Sequence, residues 1–167
     1  MAERRNLVIL TVSCAVLVLF VLAGCNNRSI KGDYEKGVAI SPELLAIEVD
    51  YSIYQFPSPV APMSYVIRIN NEGVLSKEYF EAEYFEDYND ITIQLSQSEL
   101  VELIDIVVTN NFFKLSENLD GTTHITDQPS RHLAITYDGK THKCDGYNTK
   151  NEKYLAICDY IEKLSEK

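Results

Sequence analysis

The dipeptide Asp138-Gly139 stands between two stretches with strand character, His132–Tyr137 and Lys140–Asp145. Aspartate followed by glycine favours a two-residue turn in which both residues have positive φ, and this turn joins adjacent antiparallel strands. Because the length of the turn fixes how the strands pair, the sequence predicts a β-hairpin in which Leu133 lies opposite Cys144. Cys144 is therefore expected to point into the core.

Four further strands are predicted before this hairpin. From Ile47 to Ile53 apolar residues alternate with polar ones, which is the period of a strand with one buried face. The alternation resumes at Tyr65–Ile69, and the turn-forming residues 70–73 lead into a third strand from Val74. Ile91–Leu95 predicts a short fourth strand.

Two helices complete the predicted fold. Ser96-Gln97-Ser98-Glu99 is a capping box, and the helix that it starts should end near Asn110. A last helix is predicted over about Asn151–Leu164, with Tyr154, Ile157, Cys158 and Ile161 on its buried side. This order predicts an α+β domain, an antiparallel sheet of about five to six strands with two main helices packed on it.

The amino-terminal segment has the layout of an export signal. Arg4 and Arg5 precede sixteen mostly apolar residues, Leu7–Leu22, and small residues follow. The four residues Leu22-Ala23-Gly24-Cys25 resemble the lipobox of bacterial lipoproteins, which implies cleavage before Cys25 and lipidation of that cysteine. The alternative is an uncleaved membrane helix, although a span usually needs about twenty apolar residues.

This signal divides the chain into three parts. Residues 1–24 are expected to be the signal peptide, residues 25–43 a flexible tether and residues 44–167 a single domain. The mature protein is then held at a cell membrane by Cys25, on the extracytoplasmic face, in a periplasm or at the cell surface. Loss of two arginines and one glutamate with the signal makes the formal net charge of −10 more negative by one. Such an acidic surface disfavours nucleic-acid binding and leaves a protein partner as one candidate.

Two cysteines remain in the predicted domain. Cys144 on the last strand and Cys158 on the last helix both face the core, and the predicted compartment is oxidising. A disulfide closing a loop of about fifteen residues would stabilise the fold by roughly 3 kcal/mol. The alternative is that both are buried free thiols that pack as small apolar side chains.

Three residues form the candidate polar site. His124, Asp127 and His132 lie in or beside a long loop, residues 116–131, that shows no helical or strand period. Their spacing matches no zinc pattern, so neither a metal nor another cofactor is predicted. His142 is expected to lie opposite Ile135 as a packed or edge histidine.

Residues 81–90 are rich in acidic residues interleaved with aromatic ones. The acidic residues lack the glycine of a calcium-binding EF-hand loop, which favours a solvated surface. The aromatic residues in this stretch and just before it suit a recognition surface, unless half of them face the core. They are Tyr79, Phe80, Tyr84, Phe85 and Tyr88.

The spacing of Asn111-Phe112-Phe113, Asp127-Gln128-Pro129 and the Asp138-Gly139 hairpin before a terminal helix resembles a family of small exported domains with no assigned function. The resemblance covers about residues 44–164 and implies no catalytic residue. The sequence favours a non-enzymatic, lipid-anchored binding or interaction module. The alternatives are an exported hydrolase or metal-dependent enzyme that uses the 116–131 loop, and an envelope structural protein.

Overall fold

A computed structural model describes residues 29–54, 64–80, 89–121 and 129–167 of the chain. These residues form six strands, β1 (Ile47–Tyr54), β2 (Tyr65–Ile69), β3 (Val74–Tyr79), β4 (Ile91–Gln94), β5 (Ser130–Tyr137) and β6 (Lys140–Tyr147). They also form three α-helices, α1 (Ile30–Glu35), α2 (Gln97–Thr109) and α3 (Glu152–Leu164), and two short 3-10 turns, Pro42–Leu45 and Phe112–Lys114.

The strands build one antiparallel sheet in the order β4-β3-β2-β1-β5-β6. The first four strands pair with their neighbours in sequence, and β5 then pairs with the free side of β1. Helix α2 connects β4, at one edge, to this second half of the sheet. The prediction of an α+β domain with an antiparallel sheet of five to six strands is confirmed.

The β5–β6 hairpin has the predicted turn and register. Asp138 and Gly139 adopt φ values of 50° and 67°, as a two-residue hairpin turn requires. Leu133 lies opposite Cys144, and Ile135 lies opposite His142. The turn chemistry alone was therefore enough to identify which side chains of this hairpin enter the core.

The ends of the two long helices follow from side chains that cap them. The Ser96 hydroxyl accepts a hydrogen bond from the Glu99 amide, and a Glu99 carboxylate oxygen accepts one from the Ser96 amide at 2.7 Å. At α3, the Asn151 side chain accepts a hydrogen bond from the Tyr154 amide. Both caps satisfy amides that a helix leaves without partners in its first turn.

One face of the sheet carries the helices, and the hydrophobic core lies between the two layers. Alternate residues of the central strands are buried there, including Tyr51, Ile67 and Leu133. On the other face, here called the polar face, Glu48, Asp50 and Arg68 are among the exposed side chains. None of the described helices covers the polar face, although Ser52 of β1 and Val66 of β2, which lie on it, are buried.

The amino-terminal part of the domain is more ordered than a free tether. Ile30 and Ile40 pack against the core, and the Lys31 ammonium lies 3.9 Å from the Asp105 carboxylate of α2. The prediction of a tether over residues 25–43 differs from the structure in this stretch, because Ile30 and Ile40 supply apolar surface that the helices can bury. Leu7–Leu22 and Cys25 lie outside the described residues.

Candidate functional site

His132, the one predicted polar-site residue that the structure describes, lies on the polar face and pairs with a carboxylate. It stands directly opposite Asp145 on β6, and its Nδ1 is 2.5 Å from the Asp145 Oδ1. The pair borders an open depression of about 350 Å³, whose walls also include Glu117, Thr141 and Lys143. A carboxylate in this position fixes the orientation and tautomer of the imidazole, as in catalytic and metal-binding histidines.

His124 and Asp127 lie outside the described residues, so their predicted partnership with His132 stays a prediction. Within residues 29–54, 64–80, 89–121 and 129–167, no group of three or more His, Cys, Asp or Glu side chains is arranged to hold a metal ion. The structure instead gives His132 a partner that the sequence analysis missed. The signal for it was present, because the hairpin register that places Leu133 opposite Cys144 also places His132 opposite Asp145.

His142 has a packing role, one of the two predicted for it. Its Nε2 lies 3.0 Å from the backbone carbonyl oxygen of Leu115, and its ring stands edge to face with Phe112 at 5.3 Å. The Leu115 carbonyl can accept a hydrogen bond only from a protonated Nε2, which fixes this tautomer. His142 thus joins β6 to the segment that follows α2.

Part of the predicted long loop runs along β6 as an extra, parallel segment. The Asp145 amide donates to the Glu117 carbonyl oxygen at 2.7 Å, and the Leu119 amide donates to the Asp145 carbonyl oxygen at 2.8 Å. Gly121 ends this segment, where a Cβ would lie 2.2 Å from the Asn148 carbonyl oxygen. Only glycine fits there without moving the backbone.

A half-buried polar cluster lies between the sheet and α3, and it was not predicted from the sequence. The Tyr51 hydroxyl donates to a carboxylate oxygen of Glu162 and accepts from the Arg131 Nε at 3.1 Å. The Arg131 Nε is 3.6 Å from the same carboxylate. Burial is the main cause that raises the pKa of Tyr51, and the nearby Cys158 and Glu162 raise it further. Tyr51 is therefore a neutral hydrogen-bond bridge between two opposite charges.

The cluster continues across the sheet through a row of tyrosine rings, in tilted and edge-to-face contact, to a buried lysine. Tyr65 contacts Tyr51 at 6.5 Å and Tyr79 at 5.8 Å between ring centroids. The Lys77 ammonium lies over two of these rings, 4.3 Å from the centroid of Tyr65 and 5.0 Å from that of Tyr79. The negative faces of the rings compensate part of the cost of burying this cation. These contacts account for the cluster as a structural element.

Cys144 and Cys158 are buried free thiols in the structure. This is the second of the two states considered for them, and each packs in the hydrophobic core. Burial raises the pKa of the Cys144 thiol to about 11 and raises that of Cys158 as well. Both thiols therefore stay protonated at neutral pH, and neither has the thiolate character of a catalytic cysteine.

An exposed aromatic pair lies at one end of the polar face. The rings of Tyr54 and Phe80 are stacked, with centroids 5.4 Å apart and planes 15° from parallel, and the residues are 53% and 38% exposed. Phe80 belongs to the aromatic set predicted from sequence, whereas Tyr79 of that set faces Lys77 and Tyr65. Tyr84, Phe85 and Tyr88 lie outside the described residues, as does most of the acidic stretch around them. Tyr54 was not predicted as part of a surface.

No protein-family model matches the chain, and no curated protein matches it. In the parts of the chain that the structure describes, the helices are all too short or too polar to cross a membrane.

Proposed function

We propose that the protein is a lipid-anchored, extracytoplasmic binding module that contacts a protein partner through its polar face. The observation that carries the proposal is the stacked, exposed pair of Tyr54 and Phe80 on a sheet face that none of the described helices covers. Two aromatic rings held parallel offer a large rigid contact area at little cost in conformational entropy, and aromatic residues are enriched at protein interfaces.

The composition of the polar face supports a protein as the partner. Around the aromatic pair the sheet presents hydroxyl groups and charges of both signs, including the ion pair between Arg68 and Glu78 at 3.2 Å. A surface of this kind can exchange hydrogen bonds with a protein, while the net charge of −10 works against a polyanion. Lipidation at Cys25 would keep the module in the plane of a membrane, beside other envelope proteins.

The test is site-specific photocrosslinking in native membranes, with the photoreactive group placed at Tyr54. We expect one reproducible crosslinked protein. In a second experiment the photoreactive group is placed at nearby Ser130, and the double variant Tyr54→Ser, Phe80→Ser should then lose most of the crosslinked product. The matched control is Val108→Ser, since Val108 is as exposed as Tyr54 but lies on the helix side. Crosslinking that survives the double variant would refute the proposed surface.

An exported hydrolase is the second candidate, and the pair of His132 and Asp145 beside an open depression favours it. Such a pair can act as a general base toward water or a hydroxyl group. Chromogenic esters and phosphate esters test this reading directly. If the purified protein hydrolyses such an ester and His132→Ala abolishes the hydrolysis, the protein is an enzyme and the proposal of a binding module is wrong.

A further inference from the structure

Exposed apolar side chains are concentrated on the side of the domain where the chain enters it. Six large hydrophobic residues are exposed in the described parts of the chain, and two of them are the pair Tyr54 and Phe80. The other four belong to α1, the residues after it, the first 3-10 turn and α2; they are Tyr34 at 40%, Val38 at 43%, Leu44 at 50% and Val108 at 54%.

The elements that carry these four residues are packed on one another. Helix α1 contacts α2, and the first 3-10 turn contacts α2 as well. The ion pair between Lys31 and Asp105 joins α1 to the last two turns of α2, the part that also carries Val108. Tyr34, Val38, Leu44 and Val108 therefore belong to one layer of the domain, the helix layer, on the side of the sheet opposite to the polar face.

The proposed lipid anchor lies next to this layer. Four peptide steps separate Cys25 from Ser29, the N-cap of α1, and a fully extended chain of that length spans at most about 14 Å. Because α1 is packed on α2, residues 30–40 add little further reach. A lipid at Cys25 would then hold Ser29, at the start of α1 in the helix layer, within about that distance of the bilayer surface.

We infer that Tyr34, Val38 and Leu44 enter the interface of the outer leaflet, so that the helix layer faces the membrane and the polar face points away from it. This inference rests on the proposed lipidation of Cys25. Tyrosine and aliphatic side chains suit the boundary between headgroups and acyl chains. Asp33, Glu35 and Glu43 on the same elements would be repelled by anionic headgroups, which makes a zwitterionic leaflet the surface that fits.

The chain contains no tryptophan, so a single introduced tryptophan reports on one position alone. The experiment uses the full-length, lipidated protein on vesicles of phosphatidylcholine with brominated acyl chains, which quench indole fluorescence within the bilayer. Val38→Trp and Leu44→Trp are the test variants. Tyr54→Trp, at a position with exposure similar to that of Leu44, is the matched control on the polar face.

We expect Val38→Trp and Leu44→Trp to lose most of their emission on brominated vesicles and to shift to shorter wavelength, and Tyr54→Trp to show neither change. Equal quenching of all three, or quenching of none while the protein stays on the vesicles, would overturn the inference but leave the anchor intact. Protein that carries no lipid and does not stay on the vesicles would overturn the anchor itself.

A second measurement needs no substitution. Lys36 follows α1, and Lys143 lies on the polar face; both are exposed. An amine-reactive reagent should modify Lys36 more slowly on vesicles than after release in detergent, while the rate at Lys143 stays the same. Equal protection of the two lysines would contradict the orientation.

Discussion

Removing the Tyr51 hydroxyl tests whether the half-buried polar cluster stabilises the fold. Tyr51 is 0% exposed, and its hydroxyl joins two charged groups, Arg131 and Glu162, that are themselves only 21% and 26% exposed. A hydrogen bond to a charged group contributes about 1.5–3 kcal/mol, and Tyr51→Phe removes two of them. Arg131 and Glu162 can move together and admit some water, so we expect a net loss of about 2–3 kcal/mol.

The chain offers a matched control in Tyr160. Its hydroxyl donates to the Glu102 carboxylate at 3.0 Å, and its ring is nearly as buried as that of Tyr51. Glu102 is exposed, however, so water replaces the lost bond, and Tyr160→Phe should cost only about 1 kcal/mol. Among the described residues, the hydroxyl of Tyr160 has no arginine partner, so the difference between the two variants measures what the bridge between Arg131 and Glu162 contributes at Tyr51.

Urea denaturation measures both variants, with an unchanged m-value as evidence that the unfolded states are comparable. The expected loss for Tyr51→Phe corresponds to a decrease in Tm of roughly 8–12 °C for a domain of this size. A double-mutant cycle with Glu162→Gln should give a coupling energy of about 1–2 kcal/mol. If Tyr51→Phe costs no more than Tyr160→Phe, the cluster does not stabilise the fold in the way argued.

Three further predictions concern the thiols, the pH dependence and one glycine. Without reductant, an alkylating reagent should leave Cys144 and Cys158 unmodified in the native protein and modify both in urea; peptide mass spectrometry that finds neither modified in urea would indicate a disulfide. Burial raises the pKa of Cys144 to about 11 and raises those of several buried tyrosines, so the folded state holds protons that the unfolded chain releases. These groups should therefore leave stability unchanged below about pH 8.5 and lower it as the pH rises above that value, and urea midpoints that increase from pH 8 to pH 10 would contradict this. Gly121→Ala should destabilise the domain more than Gly139→Ala, because an added Cβ meets backbone only at Gly121, and thermal melts of the two variants make the comparison.

The sequence predicts those parts of the fold that short-range chemistry determines. The Asp138-Gly139 turn, the Ser96 cap and the strand alternation each depend on a few neighbouring residues, and the structure has all three. The order of strands was not predictable in this way, because the pairing of β5 with β1 joins residues about eighty positions apart. The six-residue α1 was missed for a different reason, since a helix so short shows no period and depends on packing against α2.

The residues of the candidate site also differ in whether short-range patterns in the sequence could predict them. The hairpin register placed His142 opposite Ile135 as a packed or edge histidine; the structure confirms the register and shows the packed state. The cluster of Tyr51, Arg131 and Glu162 draws on two strands and the last helix, and no spacing in the sequence brings these residues together. Tyr54 was missed because an aromatic residue at the end of an alternating strand gives no sign of which residue it will stack on.

Residues 117–121, which run along β6, affect whether copies of this domain can pair through their sheet edges on a crowded surface. A strand at the edge of a sheet is a template for the strand of another molecule. Residues 117–121 occupy the hydrogen-bonding groups of β6 around Asp145, and at the opposite edge β4 offers only four residues. With the proposed lipid anchor, copies of the protein would be confined to a membrane plane, where neighbours meet constantly, and these two edges would oppose the growth of the sheet from one molecule into the next.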